Sequence, residues 1–313
     1  MPLFDAIAAR PRLAALLGAM CIAFSGIFYR ESGSSPATAA FFRCVYGLPI
    51  LIAVAGWEHR RFGPLPRAAW GLAILAGVFF ASDLLFWHHA IEQVGAGLAT
   101  VLGNMQILVV AVVAWLVLGE RPTPRTVAAV PIVLLGAVLI SGLVGSGAYG
   151  LNPALGVVFG SITAVSYAGY LLVIRHGGRD LRRPAGPVAI ATASTAVVAA
   201  VFGAVSGELV LAPSWPEHGW LLGYGLTSQS LGYLLISLSL PRLPAVLTSM
   251  ILLSQPVATV ALAMALLGEA PSPEQLLGVA FVIGGIGFAT VNLEPMARRA
   301  TATIRPSRRP GGG

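Results

Sequence analysis

Two opposite charges, Arg43 and Asp83, lie inside long apolar stretches of the chain. An ionisable side chain in apolar surroundings is costly unless it is paired, so such residues are candidates for function. Arg43 follows Pro36 by seven residues and Asp83 precedes Ala90 by seven. In helices that begin and end there, each charge lies about 10 Å deep, so the two could form a pair.

Three interpretations of Arg43 and Asp83 follow from the sequence. They form a fixed ion pair that only holds two helices together, or their side chains face different ways. In the third, Arg43 anchors a carboxylate or another anion, and Asp83 is its gate or a titrating proton site. Only this last interpretation makes the two residues part of a substrate site.

A second polar group follows Asp83 along the same stretch. His88 and Glu92 are four residues apart and would share a helix face, and Trp87 precedes them with an aromatic ring. A histidine near the end of an apolar stretch could sense pH in a proton-coupled cycle, or it could simply meet water. His88 and His89 would point about 100° apart on a helix, and no third ligand is evident, so we expect no metal and no cofactor.

Neutral amides recur near the middle of other apolar stretches. Gln106 lies ten residues after Ala96, and Gln255 lies ten after Ala245. Such side chains either hydrogen-bond between helices or line a cavity. The candidate substrate-binding set comprises Arg43, Asp83, Trp87, His88, Asn104, Gln106, Tyr170, Gln229 and Gln255.

The composition indicates what surrounds these residues. Of 313 residues, 57% are hydrophobic and 10% are charged, whereas about a quarter are charged in soluble domains. A helix needs roughly 20 apolar residues to cross a bilayer. The sequence contains ten such windows and therefore predicts an all-α polytopic membrane protein with ten transmembrane helices. The windows are approximately 13–30, 36–56, 68–90, 96–118, 124–143, 153–174, 187–206, 219–240, 245–267 and 275–293.

The basic residues, all nineteen of which are arginine, predict the orientation. Seventeen lie in or beside the termini and alternate loops of one side, Arg30 lies on the other side, and Arg43 lies inside a window. The positive-inside rule then places both termini in the cytoplasm of a bacterial cell, with the chain in the cytoplasmic membrane. The net charge of +7 is explained by topology, so we expect lipid as a partner and no nucleic acid.

An internal repeat divides the chain. The sequence LGERPTP at 118–124 recurs as LGEAPSP at 267–273, an offset of 149 residues. Since each half contains five windows, an odd number, the second half must be inverted relative to the first. The predicted segments are a cytoplasmic lead at 1–12, a first five-helix repeat at 13–143, a linker at 144–152, a second repeat at 153–293, and a basic tail, predicted to be disordered, at 294–313.

The repeated loops also predict helix starts. Thr123 and Ser272 each precede a proline and are suited to cap the helix that follows. Glu120 and Glu269 occupy equivalent positions in the two copies. A carboxylate is favourable beside a helix N-terminus, so we interpret both glutamates as structural, with paired gates as the alternative.

These features resemble the drug/metabolite transporter superfamily, in particular its EamA-type members. The resemblance rests on ten windows, the five-window duplication, and a Gly-Glu pair followed by proline that closes the fourth and ninth windows; it covers the chain apart from its tail. It implies two inverted five-helix repeats and transport, mostly outward, of amino acids, metabolites or drugs. One departure is that Pro256 follows Gln255, as is typical, but Ile107 follows Gln106, which leaves a helix break in the fourth window in question.

The predicted function is therefore secondary transport of a small organic solute, outward, by alternating access between two helical bundles. No nucleotide-binding motif is evident, so a gradient of protons or of the solute would supply the energy. The alternative is a flippase for a lipid-linked substrate or a polytopic membrane enzyme. The chain lacks the His-Glu-x-x-His and Gly-x-Ser-x-Gly motifs, so we expect no enzymatic activity. The sequence indicates neither the solute nor the oligomeric state.

Overall fold

The structure, a computed structural model, describes residues 10–118, 123–177, 183–239 and 245–290, and every secondary-structure element within these ranges is a helix. Helices lie in each of the ten predicted windows. In chain order they are α1 (Pro11–Ala23), α2 (Ser25–Ser32), α3 (Pro36–Phe62), α4 (Arg67–Val94), α5 (Ala96–Gly103), α6 (Gln106–Leu118), α7 (Pro124–Ile140), α8 (Pro153–Gly177), α9 (Ala185–Ser206), α10 (Glu217–Tyr224), a π-helical segment (Gly225–Gly232), α11 (Tyr233–Ser239), α12 (Ala245–Leu266) and α13 (Pro273–Thr290).

Several of these helices are suited to cross a membrane. Within the described ranges, five helical stretches are long and apolar enough: Pro11–Ser32, Pro36–Phe62, Arg67–Val94, Pro153–Ile174 and Ala185–Ser206. Shorter apolar helices accompany them: Ala96–Val110, Pro124–Ile140, Ser254–Leu266 and Pro273–Ala289. The prediction of an all-α protein built from apolar helices is confirmed.

The predicted helix starts in the repeated loops are present. Thr123 Oγ1 accepts a hydrogen bond from the backbone N–H of Thr126 at 3.2 Å, and α7 begins with the following proline. Ser272 Oγ accepts from the N–H of Gln275, also at 3.2 Å, and α13 begins in the same way. Glu120 lies outside the described residues, so its predicted structural role stays a prediction.

The fourth window is broken between α5 and α6, although it contains no proline. The Asn104 side chain donates to the backbone carbonyl of Thr100 at 2.8 Å, and the Met105 N–H bonds three residues back to Leu102 O at 3.0 Å. A side-chain donor that takes a helix carbonyl, together with such short-range bonds, tightens and ends the helix. In contrast, α12 continues through Pro256. The position of proline is therefore a poor guide to the break.

Two helices of opposite halves, α7 and α13, cross at very close range. A Cβ atom added to Gly136 would lie 2.7 Å from the backbone oxygen of Gly278, and one added to Gly278 would lie 2.6 Å from Gly136 O. No real side chain tolerates such distances without moving a backbone. Glycine at both positions thus permits close contact between these two helices, as in other membrane helix pairs.

A buried glutamate joins the two halves at the end of the helices that carries Arg60, Arg61 and Arg67, which we call the arginine end. Glu58 is 3% exposed, and its carboxylate accepts hydrogen bonds at 3.0 Å from the backbone N–H groups of both Ala185 and Gly186. These are the first residues of α9, where backbone N–H groups lack partners within the helix. The carboxylate therefore satisfies two buried donors and interacts favourably with the helix dipole.

The opposite end, which we call the acidic end, shows the same arrangement. Glu269 accepts from the N–H groups of Ala96 at 2.6 Å and Gly97 at 3.1 Å, the first residues of α5. Glu208 accepts from the N–H of Ala37 at 3.4 Å, near the start of α3. Adding 149 to 37 gives 186, so Glu58 and Glu208 bind repeat-related backbone groups at opposite ends. Glu269 lies at a helix N-terminus, as expected, but the helix is α5.

The pH dependence of stability provides a test of the Glu269 contact. Burial raises the pKa of Glu269 above its usual 4.5, and the N–H groups of Ala96 and Gly97 only partly oppose this. A raised pKa in the folded protein contributes stability that is complete below pH 4.5 and is lost as the pH rises through the shifted value. We expect the unfolding temperature of the wild type to fall relative to that of Glu269→Gln as the pH rises across that range. A difference that stays constant, or that shifts in favour of the wild type as the pH rises, would contradict this.

Candidate substrate site around Arg43

The centre of the helical assembly contains a hydrogen-bonded arginine. Arg43, on α3, is 3% exposed; its Nε donates to Gln229 Oε1 at 2.9 Å and its Nη1 donates to the Tyr224 hydroxyl at 2.8 Å. Gln229 Nε2 in turn donates to Thr192 Oγ1 on α9 at 2.9 Å. Adding 149 to 43 gives 192, so the Gln229 amide connects two repeat-related positions that face each other across the halves.

Aromatic rings surround the guanidinium group. Its central carbon, Cζ, lies 4.8 Å from the ring centroid of Tyr224, 5.6 Å from that of Phe80 and 5.9 Å from that of Tyr233. The Phe80 ring also stacks on Tyr170 with 4.8 Å between centroids. Rings at these distances attract a cation through their quadrupoles. Neutral groups thus stabilise the buried charge, and we call Arg43 with these rings, Gln229 and Thr192 the Arg43 cluster.

The π-helical segment explains how Tyr224 and Gln229 reach the same arginine. In an α-helix with 3.6 residues per turn, residues five apart point roughly 140° away from each other. The stretch Gly225–Gly232 is instead π-helical, and its hydrogen bonds run from residue i to i+5. Residues five apart then lie above one another on one face. The local geometry therefore aims both side chains at Arg43.

Asp83 lies near this cluster without forming an ion pair. Asp83, on α4, is 7% exposed, and its carboxylate interacts electrostatically with Arg43. Within the part of the chain that the structure describes, no nitrogen–oxygen contact of 4.0 Å or less joins Arg43 and Asp83. The fixed ion pair is therefore not found among the described residues, and the two opposite charges lie in one buried region with their charged atoms more than 4.0 Å apart.

Hydrogen bonds and one ring contact lead from Arg43 toward the acidic end. His88 is fully buried; its Nε2 lies 3.1 Å from the Tyr224 hydroxyl and its ring lies 4.2 Å from that of Tyr29. The Tyr29 hydroxyl donates to Glu92 Oε1 at 3.1 Å. The predicted proximity of His88 and Glu92 is therefore mediated by a tyrosine from another helix.

The contacts continue to the second half of the chain through His89. Its Nδ1 lies 3.4 Å from Glu92 Oε2, and its Nε2 lies 3.9 Å from Glu208 Oε1. Glu208 belongs to the loop after α9 and also binds the start of α3. The acidic end thus connects titratable side chains of both halves to the buried cluster.

The structure brings together only part of the predicted set. The Arg43 cluster includes three of the predicted residues, Arg43, Gln229 and Tyr170. Three more adjoin it: Asp83, His88 and Trp87. Trp87 is 9% exposed, and its ring centroid lies 5.3 Å from that of His88. In the described part of the chain, Gln106, Gln255 and Asn104 form no side-chain hydrogen bond to the Arg43 cluster.

Sequence reasoning missed several members of the site. They are Tyr29, Phe80, Thr192, Tyr224 and Tyr233. A signal was available for one of them, because Thr192 occupies the repeat position of Arg43. Nothing in the hydrophobic pattern distinguishes the aromatic members from ordinary packing residues.

A substitution of Gln229 tests the cluster. In Gln229→Leu, Arg43 Nε loses its acceptor and Thr192 Oγ1 loses its donor, so we expect a loss of about 2 kcal/mol in the free energy of unfolding. The matched control is Thr227→Val in the same π-helical segment, because among the described residues the Thr227 hydroxyl donates only to Gly223 O in its own helix. SDS titration of the purified protein measures both. Equal effects of the two substitutions would contradict a special role for the amide.

Comparison with known proteins identifies relatives over most of the chain. Residues 11–142 and 154–291 each match the sequence model of the EamA-like transporter family. A Bacillus subtilis protein described as the uncharacterized transporter YwfM is 26% identical over 281 residues, which cover 88% of this chain and 90% of that protein. An Archaeoglobus fulgidus protein, also described as an uncharacterized transporter, is 23% identical over 287 residues, covering 88% and 94% respectively.

A solved structure supports the fold. A protein crystal structure superposes with a TM-score of 0.62 and covers 90% of this chain and 98% of its own. The two sequences are 20% identical. At that level the similarity shows the arrangement of the helices and nothing about the ligand.

Proposed function

Because the chain belongs to the EamA-like transporter family, we propose that it is a secondary transporter that moves a small organic solute outward across a bacterial cytoplasmic membrane. The solute is an amino acid, a metabolite or a drug-like compound. Transport proceeds by alternating access between two inverted five-helix bundles. The observation that carries the proposal is the buried Arg43 cluster, which is built from both halves of the chain.

Contacts between the halves support an inverted repeat. Glu58 at the arginine end and Glu208 at the acidic end bind backbone N–H groups near the starts of α9 and α3, which are repeat-related helices. The family sequence model also matches twice, once in each half. An inverted repeat of this kind relates the halves by a pseudo-two-fold axis in the membrane plane and provides two equivalent gates.

In this mechanism Arg43 is the anchor for a carboxylate or another anionic group of the solute. Arginine has five N–H donors, and its described bonds to Gln229 and Tyr224 use two of them. Asp83 lies in the same buried region and can meet an ammonium group or take up a proton. The surrounding rings provide apolar walls.

The arginines support the orientation. One end of α3, α4 and α9 carries the arginines Arg60, Arg61, Arg67 and Arg183. The other end carries Glu92 and Glu208. The positive-inside rule assigns the arginine end to the cytoplasm. The contacts through His88, Tyr29 and Glu92, of which the step from His88 to Tyr29 is a ring contact, then lead outward, and we propose these titratable side chains as the place where protons couple to transport.

Flux measurements test the function. Liposomes that contain the purified protein are loaded with a broad panel of amino acids and other metabolites, and release is followed by mass spectrometry with and without a pH gradient. We expect at least one solute to leave faster than from protein-free liposomes, and the rate to change when the pH gradient is collapsed. Folded protein that moves no solute of the panel would contradict transport. Thermal stabilisation by lipid-linked compounds alone would favour a flippase instead.

A further inference from the structure

A large apolar groove opens on the side of the protein, between α3, α4 and α9. Its volume is about 870 Å³, within the range of roughly 300–1,000 Å³ typical of small-molecule sites. Its lining includes no member of the Arg43 cluster. Apolar side chains form most of the walls, among them Leu48, Ile52, Ile74, Val78, Ile190 and Val197.

The groove faces outward from the helices. Ile52, Trp70 and Val197 line it with exposed fractions of 58%, 51% and 64%. Along α3 the lining extends from Leu48 to His59, which lies eleven residues further along the helix. This step corresponds to about 16 Å of helix. One leaflet of a bilayer contains roughly 15 Å of hydrocarbon. The groove therefore matches the length of an acyl chain that lies within a single leaflet.

The end of the groove near the membrane surface is basic. Arg183 and His59 line it there, and Arg60 and Arg61 are exposed on the next residues of α3. Glu58 also lines this end, and its carboxylate accepts from the first N–H groups of α9. Arg183 Nη1 donates to the backbone oxygens of Gly63 and Pro64. Three arginines against one carboxylate leave this end positive, which is complementary to a phosphate.

We propose that this groove is a binding site for an anionic phospholipid. One acyl chain lies between α3, α4 and α9, and the phosphate lies among the arginines of the arginine end. The proposal depends on the groove facing the bilayer and is independent of the transported solute. A phospholipid held here would bridge helices of both halves, because α3 and α4 precede the linker and α9 follows it.

Glycines in the chain allow a matched test. A Cβ added at Gly56, which lines the groove, meets no atom within 4 Å, so leucine at this position fills the groove without moving a backbone. Gly71 on α4 is equally open and exposed but does not line the groove. Gly56→Leu is therefore the blocking variant and Gly71→Leu its control. Ala193→Leu, on the α9 wall, is a second blocking variant.

Native mass spectrometry of the detergent-purified protein, titrated with dioleoyl phosphatidylglycerol or dioleoyl phosphatidylcholine, measures binding. We expect one phosphatidylglycerol per chain, held at least tenfold more tightly than phosphatidylcholine. Both blocking variants should weaken it at least tenfold, and Gly71→Leu less than twofold. Arg60→Gln combined with Arg61→Gln should remove most of the preference for phosphatidylglycerol. Unchanged binding in both blocking variants would overturn the site, and equal affinity of the wild type for the two lipids would overturn the headgroup assignment.

Discussion

Replacing Arg43 with lysine should lower the initial rate of solute flux by about 100-fold, which corresponds to roughly 3 kcal/mol. Lysine keeps the charge, but its compact ammonium group cannot bond Gln229 and Tyr224 with the planar geometry of guanidinium, nor lie flat against the rings. An anionic solute would lose its oriented partner. Flux from loaded liposomes, measured for the solute that the metabolite panel identifies, checks this result.

Arg61→Lys is the matched control for the Arg43 variant. Arg61 is exposed at the arginine end of α3, far from the Arg43 cluster. The flux through Arg61→Lys should therefore stay within about twofold of that through the wild type. Thermal unfolding of both variants separates a binding effect from misfolding. If folded Arg43→Lys transports at the wild-type rate, the guanidinium does not anchor the solute.

Replacing Glu58 with alanine should lower the free energy of unfolding by about 3 kcal/mol. The substitution leaves the N–H groups of Ala185 and Gly186 without the buried carboxylate that accepts from both at 3.0 Å. It also removes a negative charge from the N-terminus of α9. SDS titration of purified protein, followed by circular dichroism, measures the loss.

Glu208→Ala offers a comparison at the other end, where the carboxylate binds Ala37, the repeat counterpart of Gly186. The Glu208 carboxylate is partly exposed; it accepts one longer capping bond, 3.4 Å from the N–H of Ala37, and lies 3.9 Å from His89 Nε2. Its replacement should therefore cost about 1 kcal/mol or less. If Glu208→Ala proves as damaging as Glu58→Ala, the number and burial of the capping bonds do not determine the stability of these contacts.

The sequence was sufficient to find the charged and amide members of the site. Arg43, Asp83, His88 and Gln229 are unusual in apolar windows, and the cost of burying them marks them whatever their partners are. Tyr224 could not be found in the same way, because a tyrosine in an apolar helix is common and only the π-helical segment turns it toward Arg43. Hydrophobic periodicity does not report a local change of helix type.

Glu58 shows a second limit of sequence reasoning. It stands beside arginines at the end of a window, where a solvated surface charge is the natural expectation. Its partners are N–H groups of Ala185 and Gly186, about 127 residues away along the chain, and these bury it. Backbone donors at a helix start are invisible in a residue pattern. The break at Asn104 was left open by the sequence for a related reason, since it depends on one side chain bonding to Thr100 O.

A π-helical turn holds more residues than the α-helical turn that it replaces. Removing one residue between Tyr224 and Gln229 while the stretch returns to α-helical winding would leave the two side chains four residues apart, again on one face. A substitution that restores α-helical winding without removing a residue would instead turn the two side chains roughly 140° apart. The number of residues in this turn and its winding must therefore change together if both side chains are to keep their contact with the guanidinium.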